Sequence, residues 1–118
     1  MTENRRIDRL GNQLRSEISA LIDTTLDDPR INMVSVTEVR VSPDLRHARV
    51  YVSTLDKSAN EKNILAGLDS ARSFLRRQLS QRLPHLRRTP DLTFSYDGSI
   101  ETELRVEQLI QEIRSPEQ

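Results

Sequence analysis

The side chains in this sequence that could do chemistry are mostly arginines, and they are clustered. From Ala71 to Pro90 there is no Asp or Glu, while Arg72, Arg76, Arg77, Arg82, Arg87 and Arg88 fall in that stretch together with His85. A guanidinium is planar and permanently charged, and its fork of donors suits phosphates and stacks on bases. The stretch therefore reads as a surface for a polyanion. The competing reading is a solvated helix face on which Arg was selected for helix propensity. The formal net charge of zero conceals this stretch, because the balance reverses after it. From Asp97 to Gln118 six acids (Asp97, Glu101, Glu103, Glu107, Glu112, Glu117) face two bases (Arg105, Arg114). Segregated charge produces local fields that a net charge hides.

Catalytic and metal chemistry find little to work with. His47 and His85 are the only histidines, and neither belongs to a metal-ligand spacing. Each sits among arginines, where a surface imidazole beside phosphate is a better reading than a general base. There is no cysteine, so disulfides and thiolate sites are excluded. The three glycines, at 11, 67 and 98, match no phosphate-binding loop. The paired carboxylates Asp27-Asp28 and Glu101/Glu103 read as helix-end and solubility charges. The expectation is a binding protein, not an enzyme, with no cofactor and no metal. No apolar run approaches the roughly 20 residues of a membrane span. The charged start, Glu3 to Arg9, is not followed by the apolar stretch of a signal peptide. The reading is a cytoplasmic protein with no membrane partner.

These arginines must be positioned by the elements around them. Ile7, Leu10, Leu14, Ile18, Leu21 and Ile22 recur at helical spacing and predict a helix over about Glu3–Leu26. Thr2 is its N-cap and Asp27-Asp28-Pro29 its stop. Gly11 is a local flaw in that pattern, costing roughly 1 kcal/mol against Ala. Met33–Ser42 and Ala48–Thr54 are rich in β-branched residues and predict two strands. In the first, Val34 and Val36 share one face but Val39 and Val41 the other, so a bulge near Thr37-Glu38 is needed. In the second, Ala48, Val50 and Val52 point to the core, and Arg49, Tyr51 and Ser53 away from it. Ser42-Pro43-Asp44-Leu45 is the turn that makes the pair an antiparallel hairpin.

Ser58-Ala59-Asn60-Glu61 reads as a capping box opening a long helix. Its stripe is Ile64, Leu65, Leu68, Ala71, Leu75, Leu79 and Leu83, and Pro84 ends it. Arg72 and Arg76 line one edge of the stripe. Arg82 falls close to the stripe itself, which suggests a bend between Ala71 and Leu75. Leu92–Tyr96 alternates as a third strand, Asp97-Gly98 is a turn, and Ile100, Leu104, Leu109, Ile110 and Ile113 suggest a final helix. The expected order is α-β-β-α-β-α in one α+β domain over 1–114, with a three-stranded sheet, helices on one face and 115–118 as a frayed tail. With two Phe, two Tyr and no Trp, the core must be aliphatic.

Particular strings carry a resemblance. Val39-Arg40-Val41-Ser42-Pro43-Asp44-Leu45-Arg46-His47-Ala48-Arg49-Val50-Tyr51-Val52-Ser53 resembles the hairpin of the bacterial ribosome-binding factor A family. Pro90-Asp91-Leu92-Thr93-Phe94-Ser95-Tyr96-Asp97, the opening Arg5-Arg6-Ile7-Asp8-Arg9-Leu10 and the Asp28-Pro29-Arg30-Ile31 break are similar to it too. The likeness runs to about Arg114. It implies a fold like type II KH domains, with a kinked long helix in place of the GxxG loop by which KH domains clamp nucleotides. The family's bend lies at an Ala-x-Gly element; here the matching residues are Ala71-Arg72-Ser73, with Ser in place of Gly.

The resemblance further implies a monomer that binds the small (30S) ribosomal subunit late in maturation, assists 5′-end processing of its rRNA and supports growth in the cold. On that reading Arg72, Arg76, Arg77, Arg82, Arg87 and Arg88 contact rRNA phosphates. Arg46, His47 and Arg49 extend the surface. The acidic last segment faces ribosomal proteins or other assembly factors. Two other readings stay open: a KH-like module for other RNAs, and a protein-interaction adaptor whose arginines meet an acidic partner.

Overall fold

The computed structural model describes residues 2–97, apart from Asn32 and Lys57. Helix α1 spans Thr2–Thr25, strand β1 Val34–Val41, strand β2 His47–Thr54, helix α2 Glu61–Arg82 and strand β3 Asp91–Tyr96, with a short 3-10 turn at Pro29–Ile31. The fold is α+β. The suggested final helix and tail lie outside the described residues.

The three strands form one sheet in the order β1-β2-β3. β1 and β2 are antiparallel, whereas β2 and β3 are parallel. The parallel pair follows from α2, which returns the chain to the end where β2 began, as a crossover must. The register shifts between Val36 and Glu38, leaving Thr37 as the extra residue. That bulge turns Val34, Val36, Val39 and Val41 to the same buried face. The Thr37 hydroxyl donates to the Asp97 carboxylate at 2.8 Å and lies 3.2 Å from the Tyr51 carbonyl.

Both helices cover that face. Leu14, Ile18 and Leu21 of α1 and Ile64, Leu68, Leu75 and Leu79 of α2 close over Val36, Val50, Val52 and Leu92 in one aliphatic core. Ser35, Glu38, Arg40, Arg49 and Thr93 are exposed on the opposite face. Gly11 is where α1 crosses β1: a Cβ there would stand 2.7 Å from the Val39 carbonyl oxygen. What reads in the sequence as a helix flaw is the condition for the crossing.

Three local expectations are corrected. Thr2 already lies inside α1 and is not its cap. The α2 N-cap is Asn60, whose side chain accepts from the backbone N–H groups of Lys62 and Asn63 at 2.8 and 3.3 Å. Ser58 is instead spent on Asp56, to which its hydroxyl donates at 2.6 Å. The break expected at Ala71-Arg72-Ser73 is absent, and α2 is helical without interruption from Glu61 to Arg82. The physical reason is local: residues 68–82 contain no Gly or Pro, and an exposed Ser costs a helix only a few tenths of a kcal/mol. Arg82 needs no bend to leave the apolar stripe. Its long stem carries the guanidinium across to α1, where it meets Glu17 at 3.1 Å and stays 41% exposed.

Candidate nucleic-acid interface

The sheet register brings distant basic segments to one end of the molecule. His47 pairs with Asp91, so the β1–β2 turn and the loop before β3 lie side by side. The Asp91 N–H donates to the Arg46 carbonyl at 2.8 Å, fixing that junction. Residues 83–90 lead from the end of α2 into this corner, starting from buried Leu83, whose N–H still donates to the Leu79 carbonyl.

A shallow, open groove of about 340 Å³ runs along the second half of α2, lined by Ser73, Arg76, Arg77, Ser80 and Thr89. Thr89, from the loop between α2 and β3, closes its other side. Arg76 spans the groove floor: its guanidinium donates to the Thr89 carbonyl from Nε (3.3 Å) and Nη2 (3.1 Å) and pairs with Asp91 at 3.1 Å. Arg88 approaches the other Asp91 oxygen at 3.9 Å. Asp91 thus gathers two arginines, a role that the acid-free stretch ending at Pro90 did not reveal.

The remaining arginines differ in commitment. Arg72 pairs with Asp69 one turn earlier at 3.3 Å, and Arg82 with Glu17. Both contacts are exposed, and exposed pairs are weak enough to be exchanged for a phosphate. Arg77, Arg87, Arg46 and Arg49 are exposed and make no ion pair among the described residues. Arg46 adjoins the Asp91 junction through its carbonyl, and Arg87 lies in the loop between α2 and β3. Arg49 stands apart on the open sheet face. It neighbours Arg40, which pairs with Glu38 at 2.9 Å and places its guanidinium 5.6 Å from the Tyr51 ring centroid. The Glu38 carboxylate is the main cause of the raised Arg40 pKa. Arg5, Arg6, Arg9 and Arg15 on α1 are also exposed.

The turn at this corner is built from side chains. The Ser42 hydroxyl donates to Asp44 at 2.6 Å and accepts from the His47 N–H at 3.1 Å, while the Arg46 N–H donates to the same Asp44 oxygen at 3.0 Å. These bonds, that of Ser42 first, hold the Asp44 carboxyl below the ordinary carboxylate range. His47 and His85 are both exposed, on separate elements. Among the described residues no cluster of His, Asp and Glu could hold a metal ion, and no helix is long and apolar enough to cross a membrane.

Fold and groove together define a small α+β domain with an arginine-rich end. The family model of ribosome-binding factor A matches residues 6–110, and the chain belongs to that family. Ribosome-binding factor A of Lachnoclostridium phytofermentans is 45% identical over 108 residues, which cover 91% of this chain and 79% of that protein. The crystal structure of ribosome-binding factor A from Thermus thermophilus is similar with a TM-score of 0.69 at 31% identity, covering 76% of this chain and 94% of that one. Coordinates of the Thermus thermophilus factor as fitted into a cryo-EM map of a 30S–RbfA complex match with a TM-score of 0.63 at 31% identity, covering 75% of this chain and 91% of that one.

Proposed function

We propose that this chain is a non-catalytic assembly factor that binds the small ribosomal subunit and holds an rRNA segment through phosphate contacts at its arginine-rich end. The observation that carries the reading is the groove along α2, lined by Arg76 and Arg77 with Thr89, next to the Asp91 junction that Arg88 approaches and that the Arg46 carbonyl fixes. Guanidinium groups do not exchange protons near neutral pH, so they bind and orient but do not act as acid or base. Phosphate contacts set register and salt-sensitive affinity, and the shape of the rRNA supplies specificity. The Thermus thermophilus relative in a 30S complex supports the same partner here.

The α-β-β-α-β order of the described elements supports a KH-like (type II) reading of the fold, with the uninterrupted α2 where a KH domain carries its GxxG loop. The family likeness supports a monomeric, cytoplasmic single-domain factor. It would act late in subunit maturation, assist 5′-end processing of the rRNA and matter most for growth in the cold. Sedimentation of cell extract through a sucrose gradient tests the proposal. The protein is expected with free small subunits and their precursors, and to leave them after nuclease treatment. Retention at the top of the gradient would exclude it, and association that survives loss of RNA would favour the protein-adaptor reading.

A further inference from the structure

The hairpin tip beside the groove holds an anomaly. Leu45 has φ +62°, in the left-handed region, and is 42% exposed. Leucine gains nothing from that backbone state, which crowds its Cβ against the following carbonyl oxygen. Gly or Asn is the ordinary occupant of a left-handed position that closes a hairpin turn. The turn forces the conformation: Leu45 N–H donates to the Ser42 carbonyl at 2.9 Å, and the Ser42 and Asp44 side-chain bonds lock the residues on either side. A large apolar side chain is thereby held out in solvent by a rigid frame, at a backbone cost. Strain that the surroundings over-determine points toward function.

Its neighbours indicate what it meets. Leu45 precedes Arg46, whose carbonyl accepts from Asp91, and Asp91 holds Arg76 and Arg88. The exposed apolar tip therefore adjoins the junction that gathers Arg76 and Arg88, where His47 pairs with Asp91. An apolar side chain flanked by permanent cations suits an unstacked base whose backbone is held by those cations. We propose that Leu45 is an rRNA-contacting residue that packs against a splayed base while the surrounding arginines take the adjoining phosphates. The inference rests on the proposed ribosomal binding but assigns an apolar, base-directed contact that phosphate binding alone does not require.

The test compares Leu45→Asn and Leu45→Met with the parent protein for binding to purified small subunits, alongside their melting temperatures. Asn accepts the left-handed backbone, so Leu45→Asn is expected to melt no lower than the parent yet to bind about tenfold more weakly, as loss of a leucine side chain buried at the contact would produce. Leu45→Met keeps an apolar side chain of similar volume and is expected to bind within about twofold of the parent. A photo-crosslinking side chain at position 45 is expected to capture rRNA. Equal binding by Leu45→Asn and the parent would overturn the inference, as would capture of a ribosomal protein alone. If the parent itself failed to bind small subunits, the proposed function would fall instead.

Discussion

Replacing Arg76 and Arg77 one at a time separates an arginine that builds the groove from one that serves it. Arg76 makes two N–H···O contacts to the Thr89 carbonyl and an ion pair with Asp91, tying the loop before β3 to α2. Hydrogen bonds from a charged donor are worth about 1.5–3 kcal/mol when shielded. The Arg76 side chain is 40% exposed, so the lower part of that range applies, and its exposed ion pair adds at most about 1 kcal/mol. Arg76→Ala should therefore cost about 1.5–2.5 kcal/mol, or roughly 5–10 °C in melting temperature for a chain of this size. Arg77, exposed and without an ion pair among the described residues, should change stability by less than about 0.5 kcal/mol when replaced by Ala. Its loss should appear in binding, as a log–log salt slope shallower by about 0.7–0.9 for one lost phosphate contact. Thermal denaturation and salt-titrated binding to small subunits read the two quantities. The reasoning is refuted if Arg76→Ala melts like the parent, or if Arg77→Ala leaves the slope unchanged.

Other outcomes follow from the same geometry. Gly11→Ala should improve helix propensity by about 1 kcal/mol. It should still destabilise the fold by about 1 kcal/mol net and lower the denaturation midpoint, because the added Cβ meets the Val39 carbonyl at 2.7 Å and overpacking against backbone costs about 1–3 kcal/mol. A raised midpoint would mean that α1 and β1 do not cross so closely. Val50 has no exposed surface, so Val50→Asp should abolish folding by burying an unpaired charge, as circular dichroism would show. Tyr51→Ala, on the opposite face, should destabilise less than Val50→Ala; the reverse order would invert the sheet. Asp28, Asp44 and Asp56 are all held below the ordinary carboxylate value of 3.8, by Arg30, by Ser42 and by Ser58 respectively as the leading causes. A depressed folded pKa contributes stability above the unfolded value that is lost as pH falls through the folded value. The melting temperature should thus hold near neutrality and fall below about pH 4, and Asp44→Asn should soften that fall.

What could be read in advance was whatever depends on local periodicity. The β1 bulge was legible because Val36 and Val39 could not otherwise share a face, and the third strand because Leu92, Phe94 and Tyr96 alternate. Features decided by partners far along the chain were not. Arg82 looked misplaced because its partner, Glu17, lies 65 residues away on α1. Gly11 looked like a flaw because its reason, the Val39 carbonyl, belongs to another element. Asp91 sits one residue past the acid-free stretch and gathers Arg76 and Arg88 only once β3 is paired. The break at Ala71-Arg72-Ser73 was expected from the awkward position of Arg82 and from the family likeness; a flexible side chain resolves the first conflict more cheaply than a broken helix. Asn60 displaced Ser58 as cap because Asp56 captures the Ser58 hydroxyl, a competition between neighbours that a four-residue motif does not show.

The salt dependence of binding to purified small subunits tests the central claim most directly. If the arginine-rich end neutralises about five phosphates, log affinity should fall linearly with log salt at a slope near −3.5 to −4.5. Replacing Arg77 and Arg87 together should shallow that slope by about 1.4–1.8 while the melting temperature holds. A salt-independent affinity, or a slope untouched by that double substitution, would contradict the account.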